Sequence, residues 1–191
     1  MNTSTSKVIH TVSLSVALAL CCFAGLQNAR ADDTANRGQL TARDYKFVTE
    51  AVEGGNMEVT LGQLASTKAA DQSVRDFGQR MVQDHQKANQ ELTQLASQKG
   101  ATVPEASAKK EDKLEEHLQG LSEAEFDKAY IKHMVGDHKK VIKEFQKAAD
   151  KSDDADLKNW AAKTLPTLQE HLRLAENVEA TISSAKNSPT P

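Results

Sequence analysis

Four long stretches of the chain repeat apolar residues every three to four positions, the period of a helix buried along one face, and none alternates as a strand does. The first runs over about 42–68, with Phe47, Ala51, Glu58, Leu61 and Ala65 along its stripe. The second runs over about 72–99 and aligns Val74, Phe77, Met81, His85, Ala88, Leu92 and Leu95, with Asp71 as N-cap and Gly100 as the residue that stops it. After a polar stretch, in which 108–118 reads as a short charged helix ended by Gly120, Ser122 opens the third segment with Glu125 three residues on, a capping-box pattern. Its stripe passes through Phe126, Tyr130, Met134, Asp137, Val141, Phe145 and Ala148, with His133 and His138 on the flanks. The fourth covers about 153–183 through Leu157, Ala161, Thr164, Leu168, His171 or Leu172, Ala175 and Val178. Pro166 inside it predicts a kink or a brief break, and Gly54-Gly55 marks a bend or a close approach in the first segment. Two helices, a longer connection and two more helices predict an all-α, antiparallel four-helix bundle over residues 44–183, with a short extra helix in the linker.

The flanks carry a different pattern. Lys7 followed by an apolar run from Thr11 to Leu26, then Ala29-Arg30-Ala31, reads as a signal peptide over 1–31, cleaved after Ala31. The apolar run is shorter than the roughly 20 residues a membrane span takes. The expected product is periplasmic or secreted, without a transmembrane anchor, with a flexible segment at 32–43 and a disordered tail at 184–191. Cys21 and Cys22 both fall in the signal peptide, which leaves the mature chain no disulfide, thiolate metal site or cysteine nucleophile. Without Lys7 and Arg30 the 24 basic residues fall to 22 against 27 acidic ones, a formal charge of −5. Basic residues are dispersed, which argues against nucleic acid as a partner and leaves a protein partner or a homo-oligomer.

One motif occurs twice. Met81-Val82-Gln83-Asp84-His85-Gln86-Lys87 recurs 53 residues later as Met134-Val135-Gly136-Asp137-His138-Lys139-Lys140, with five of seven positions identical. This offset suggests that the two helical hairpins derive from one duplicated unit. At about 100° per residue, Met, Asp and His of each copy share one sector of the helix, at or beside the apolar stripe. Glu58 interrupts the first stripe, Glu50 lies two turns before it, and His171 sits near the fourth. Antiparallel packing can therefore gather Glu50, Glu58, Asp84, His85, Asp137, His138 and His171 in the bundle interior. Such groups are costly to bury unless they pair or bind a metal. Two readings stay open: a self-satisfied polar network that fixes helix register, and a metal site of carboxylates and imidazoles suited to zinc, iron or manganese, or to copper if Met81 or Met134 joins. In the first, Glu58 pairs with a histidine or with Arg80, and both methionines are core filler.

The pattern Phe47…Glu50-Ala51…Gly55…Glu58…Leu61-Gly62, then Arg75…Phe77…Met81…Asp84-His85, resembles a bacterial family of unknown function, often labelled as outer membrane proteins. Phe126-Asp127…Tyr130…Met134…Asp137-His138 and Ala161…Thr164-Leu165-Pro166…Leu168…His171-Leu172 extend the likeness over about 44–178. The resemblance implies a ferritin-like fold and no established activity. Ferritin-like di-iron sites use Glu-x-x-His pairs, whereas Val82, Val135 and Leu168 stand three residues before His85, His138 and His171. That departure counts against ferroxidase chemistry. No catalytic triad or phosphate-binding loop is found, so no residue is assigned a catalytic role. The expected function is a binding or stress-related accessory bundle with a metal at the duplicated Asp-His motifs. A divergent metal-dependent redox enzyme and a purely structural, partner-binding bundle are the alternatives.

Overall fold

In a computed structural model of the chain, the described residues are 36–103 and 111–185, all within one unit. The signal-peptide expectation over 1–31 and most of the predicted tail lie outside them. Five helices make up the unit: α1, Ala42–Lys68; α2, Gln72–Gln98; α3, Glu111–Gln119; α4, Glu123–Lys151; and α5, Ala155–Ala185. None of them is long and apolar enough to cross a membrane.

The sequence signals act where they stand. Asp71 accepts the Ser73 N–H at the start of α2, and the Glu125 carboxylate accepts the Ser122 N–H at the start of α4. Gly100 takes φ +71° directly after α2. Helix α5 runs without interruption through Pro166, which sits on its exposed face, where one missing ladder bond is replaced by solvent. The segment at 32–43 is anchored from Asn36 onward: Gln39 donates to the Lys99 carbonyl, Thr102 donates to the Asn36 carbonyl, and Leu40 is buried.

Helices α1 and α2 form one hairpin, and α4 and α5 the other. The hairpins join through α2 against α5 and α1 against α4, which gives a ferritin-like four-helix bundle. Buried carboxylates fix its ends. Asp127 at the start of α4 accepts the Ala70 and Asp71 N–H groups of the α1–α2 turn, at 3.1 and 2.8 Å. Asp44 at the start of α1 accepts the Asp153 and Asp154 N–H groups of the α4–α5 turn, at 3.1 and 3.3 Å. Helices α1 and α4 are therefore antiparallel. The α2–α4 connection, which includes α3, consequently runs the length of the bundle. Within the first hairpin α1 and α2 approach backbone to backbone: a Cβ on Gly62 would lie 2.7 Å from the Gly78 carbonyl oxygen.

The two anchors differ by 83 residues, and so do the caps Asp71 and Asp154, each of which accepts N–H groups at the start of its helix. At that offset buried positions match along both hairpins, among them Val48 with Ile131, Ala65 with Ala148, Val74 with Leu157 and Phe77 with Trp160. The hairpins are thus equivalent as α1 with α4 and α2 with α5. This corrects the duplication inferred from Met-Val-x-Asp-His. That motif repeats on α2 and α4, the second helix of one hairpin and the first of the other, which are not equivalent positions.

Candidate metal centre

Midway along the bundle, α2 contributes His85, α4 His138 and α5 His171, all buried, with 8%, 1% and 1% of their surface exposed. Their ring centroids lie 5.3 to 5.9 Å apart, and one ring nitrogen of each falls within 4.8 Å of the other two. The stripe of α4 passes through Phe126, Tyr130, Met134, His138 and Phe145, not through Asp137, which is half-buried. The expectation for α4 was therefore off by one residue: Asp137 and His138 lie about 100° apart, and periodicity alone does not choose between adjacent polar residues.

Hydrogen bonds fix two of the rings. His138 Nδ1 lies 2.9 Å from the Met134 carbonyl oxygen, which can only accept, so Nδ1 carries the proton and Nε2 keeps its lone pair. His171 Nε2 lies 2.8 Å from Asp84 Oδ2 and donates to it, which leaves Nδ1 as the acceptor. The ring nitrogens without a partner among the described residues are then His138 Nε2, His171 Nδ1 and His85 Nε2. Burial holds all three rings neutral. His85 is pushed down to about 3, by burial first and then by the neighbouring rings of His171 and His138. His138 is pushed to about 4, by burial and then by His171. Burial also lowers His171, against the upward pull of Asp84. Burial alone would raise Asp84, but hydrogen bonds from His171 and from Arg80 outweigh it and hold the carboxylate low. A lowered imidazole against a lowered carboxylate is the signature of a neutral N–H donating to an anion, not of an ion pair.

The other candidates surround the trio. Glu58 is buried, and its oxygens receive no N–H or hydroxyl donor, so its carboxyl has only the Asp137 carboxylate to share a proton with. Its Oε1 lies 3.9 Å from His138 Nδ1, whose proton goes to the Met134 carbonyl. Burial first, and then Asp137, push the Glu58 carboxyl well above the usual range. Arg80 does not pair with it, contrary to expectation: one turn before Asp84 on the exposed face of α2, it binds that carboxylate instead. Glu50 is exposed, pairs with Lys46, and lines the same cavity as the trio. Met81 and Met134 are fully buried core residues. His133 has an unpartnered Nε2 and lies outside the trio, and His117 is exposed on α3.

A cavity of about 60 Å³ adjoins the trio, and no local pattern of residues signals it. The histidines and Glu58 line it together with Phe47, Ala51, Gly54, Ala88, Val141, Phe145, Trp160 and Leu168. Besides the Glu58 carboxyl, which adjoins Asp137, four buried side-chain atoms without a partner among the described residues belong to residues lining this cavity: one nitrogen from each histidine and the Trp160 indole nitrogen. Buried polar groups are almost always satisfied, so four in one place mark a site and not a flaw in packing.

A family model described as a domain of unknown function, DUF4142, matches residues 29–178. The chain belongs to this family. The fold of this DUF4142 chain is similar to the crystal structure of a DUF305 fragment from Deinococcus radiodurans, with a TM-score of 0.66 and 13% sequence identity, over 74% of this chain and 98% of that one. No curated protein matches the DUF4142 chain.

Proposed function

We propose that this protein is an exported accessory bundle that holds one transition-metal ion through His85, His138 and His171. The observation that carries the proposal is the convergence of three neutral, buried imidazoles, each with an unpartnered nitrogen. Metal-binding histidines commonly give their second nitrogen to a carbonyl or a carboxylate, which fixes the tautomer and makes the ligating nitrogen more basic. Met134 and Asp84 do this for His138 and His171. Three imidazoles with no thiolate suit zinc or copper better than manganese, which prefers oxygen. A tetrahedral ion with metal–nitrogen distances of about 2.0–2.1 Å sets its nitrogens about 3.4 Å apart, so binding draws the rings together by roughly an ångström.

Elemental analysis and calorimetric titration of the untagged protein with zinc and with copper(II) test this reading. One equivalent should bind, and replacing all three histidines with Leu should abolish binding while the helical circular dichroism persists. Loss of any single ring should cost more than the roughly 10- to 100-fold that loss of an outer partner costs. A wild-type chain that takes up no metal, or a triple variant that binds as well as wild type, refutes it.

A further inference from the structure

The cavity beside the histidines has a structural origin in the 83-residue correspondence. Ala51, Gly54 and Ala88 of the first hairpin stand where the second carries Met134, Asp137 and His171. Small residues on α1 and α2 thus leave space where the second hairpin fills it, and a Cβ on Gly54 would meet nothing within 4 Å. All three histidines line the space. Phe47, Val141, Phe145 and Leu168 form its apolar wall, and Glu50, Asp137, Glu144 and Thr164 add polar groups to its lining.

Three nitrogen donors leave a four-coordinate ion one position short, which is the arrangement of metal sites that take an exogenous ligand. From this geometry we infer that the cavity seats a small donor ligand of two or three heavy atoms, which completes the coordination of the ion held by the histidine trio. The inference rests on the metal reading above and adds the class of molecule the site accepts. Size sets the class: at 10–15 Å³ per water-sized probe position, about 60 Å³ admits about four to six such positions, enough for a diatomic or triatomic molecule and too few for a nucleobase. The remaining unpartnered groups set the polarity. The Trp160 indole N–H lines the cavity without a partner, and Glu58 lies beside it with its carboxyl against Asp137, so a ligand bound at one end to the metal can meet a donor along its length. A wholly structural void would be lined by satisfied or apolar groups alone.

Sodium azide and the copper(II)-loaded full chain make the test. Copper stoichiometry is measured first, and a chain that holds no copper fails the metal reading itself before azide is added. With copper bound, azide should produce a saturable charge-transfer band. Ala51→Met, which copies the residue at the matching position of the second hairpin, should keep the copper stoichiometry and weaken azide binding at least tenfold. Ala88→Leu fills the same cavity from α2 and serves if the first variant does not fold. A copper-loaded wild type that gives no azide band overturns the proposal while the metal reading stands. So does a folded plugging variant that binds azide as tightly as wild type.

Discussion

The two hairpins share a framework and differ at its centre. At an offset of 83 residues, His138, His171 and Glu58 correspond to Gly55, Ala88 and Val141, and His85 to Leu168. The framework repeats the anchoring aspartates, the caps and the apolar stripes, while the centre pairs each polar group with a small or apolar one. A symmetric centre would have been a packed core or a second set of ligands. Breaking the symmetry places two of the three nitrogen donors on the second hairpin and the small residues that leave open space on the first. The likeness between the hairpins therefore explains the fold, and their difference locates the site.

The largest expected effect comes from acid acting on the metal-free protein, because only the polar member of each pair titrates. The ordinary histidine value is 6.5, and burial lowers His85 to about 3 and His138 to about 4. Below pH 6.5 the unfolded chain takes up protons that the folded chain refuses. The contribution of the rings is full above that pH and falls as pH drops towards the folded values, by up to about 1.4 kcal/mol per pH unit for each ring, while Glu58, whose carboxyl burial raises, contributes with the opposite sign. Urea midpoints between pH 7 and 5 should show this slope, and giving His85 and His138 leucines should flatten it; an unchanged slope would show that the rings are not buried neutral.

The anchors test whether the framework itself is energetically symmetric. Asp127→Ala removes the acceptor of two part-buried N–H groups and should cost about 1–3 kcal/mol in urea denaturation. Asp44→Ala should cost less, since its bonds are longer. Equal costs would mean that geometry at the two turns does not set their strength. Asp84→Asn should weaken metal binding about 10- to 100-fold, because the amide leaves the His171 tautomer less firmly held. Its counterpart Thr167 touches none of the ring nitrogens by hydrogen bond, so Thr167→Asn should leave metal affinity unchanged in the same titration. The smallest effect belongs to His85→Leu, which gives α2 the residue that α5 carries at Leu168. Metal-free stability should change by less than about 1.5 kcal/mol or rise, since an unsatisfied nitrogen is exchanged for an apolar group of similar size. A larger loss would indicate that His85 contributes to structure.

Much of the fold can be read in the sequence because its signals are local. Asp71, Gly100 and the Ser122–Glu125 pair mark helix ends within one turn of themselves, and the stripes run long enough to define each buried face. The site was harder to read. His85 and His171 lie on strong apolar stripes and were found there. On α4 the polar neighbours Asp137 and His138 made the face ambiguous, and only packing against α2 and α5 selects the histidine. The conspicuous 53-residue repeat pointed to the wrong pair of helices, because it matches chemistry and not position. The 83-residue correspondence is quieter, as its partners are substitutions such as Val48 for Ile131 and Phe77 for Trp160, which keep volume and burial without identity. Ala51, Gly54 and Ala88 read as ordinary packing, since a cavity is a property of several helices at once.

Asp44 and Asp127 have a further consequence for how the chain folds. Each hairpin ends in a turn whose N–H groups are satisfied by a carboxylate of the other hairpin. Either hairpin alone would leave its turn donors and its anchoring carboxylate to water and forgo these bonds, so neither half alone reaches the stability of the whole. The bundle should assemble in one cooperative transition, and the three histidines, drawn from both halves, come together in that same step.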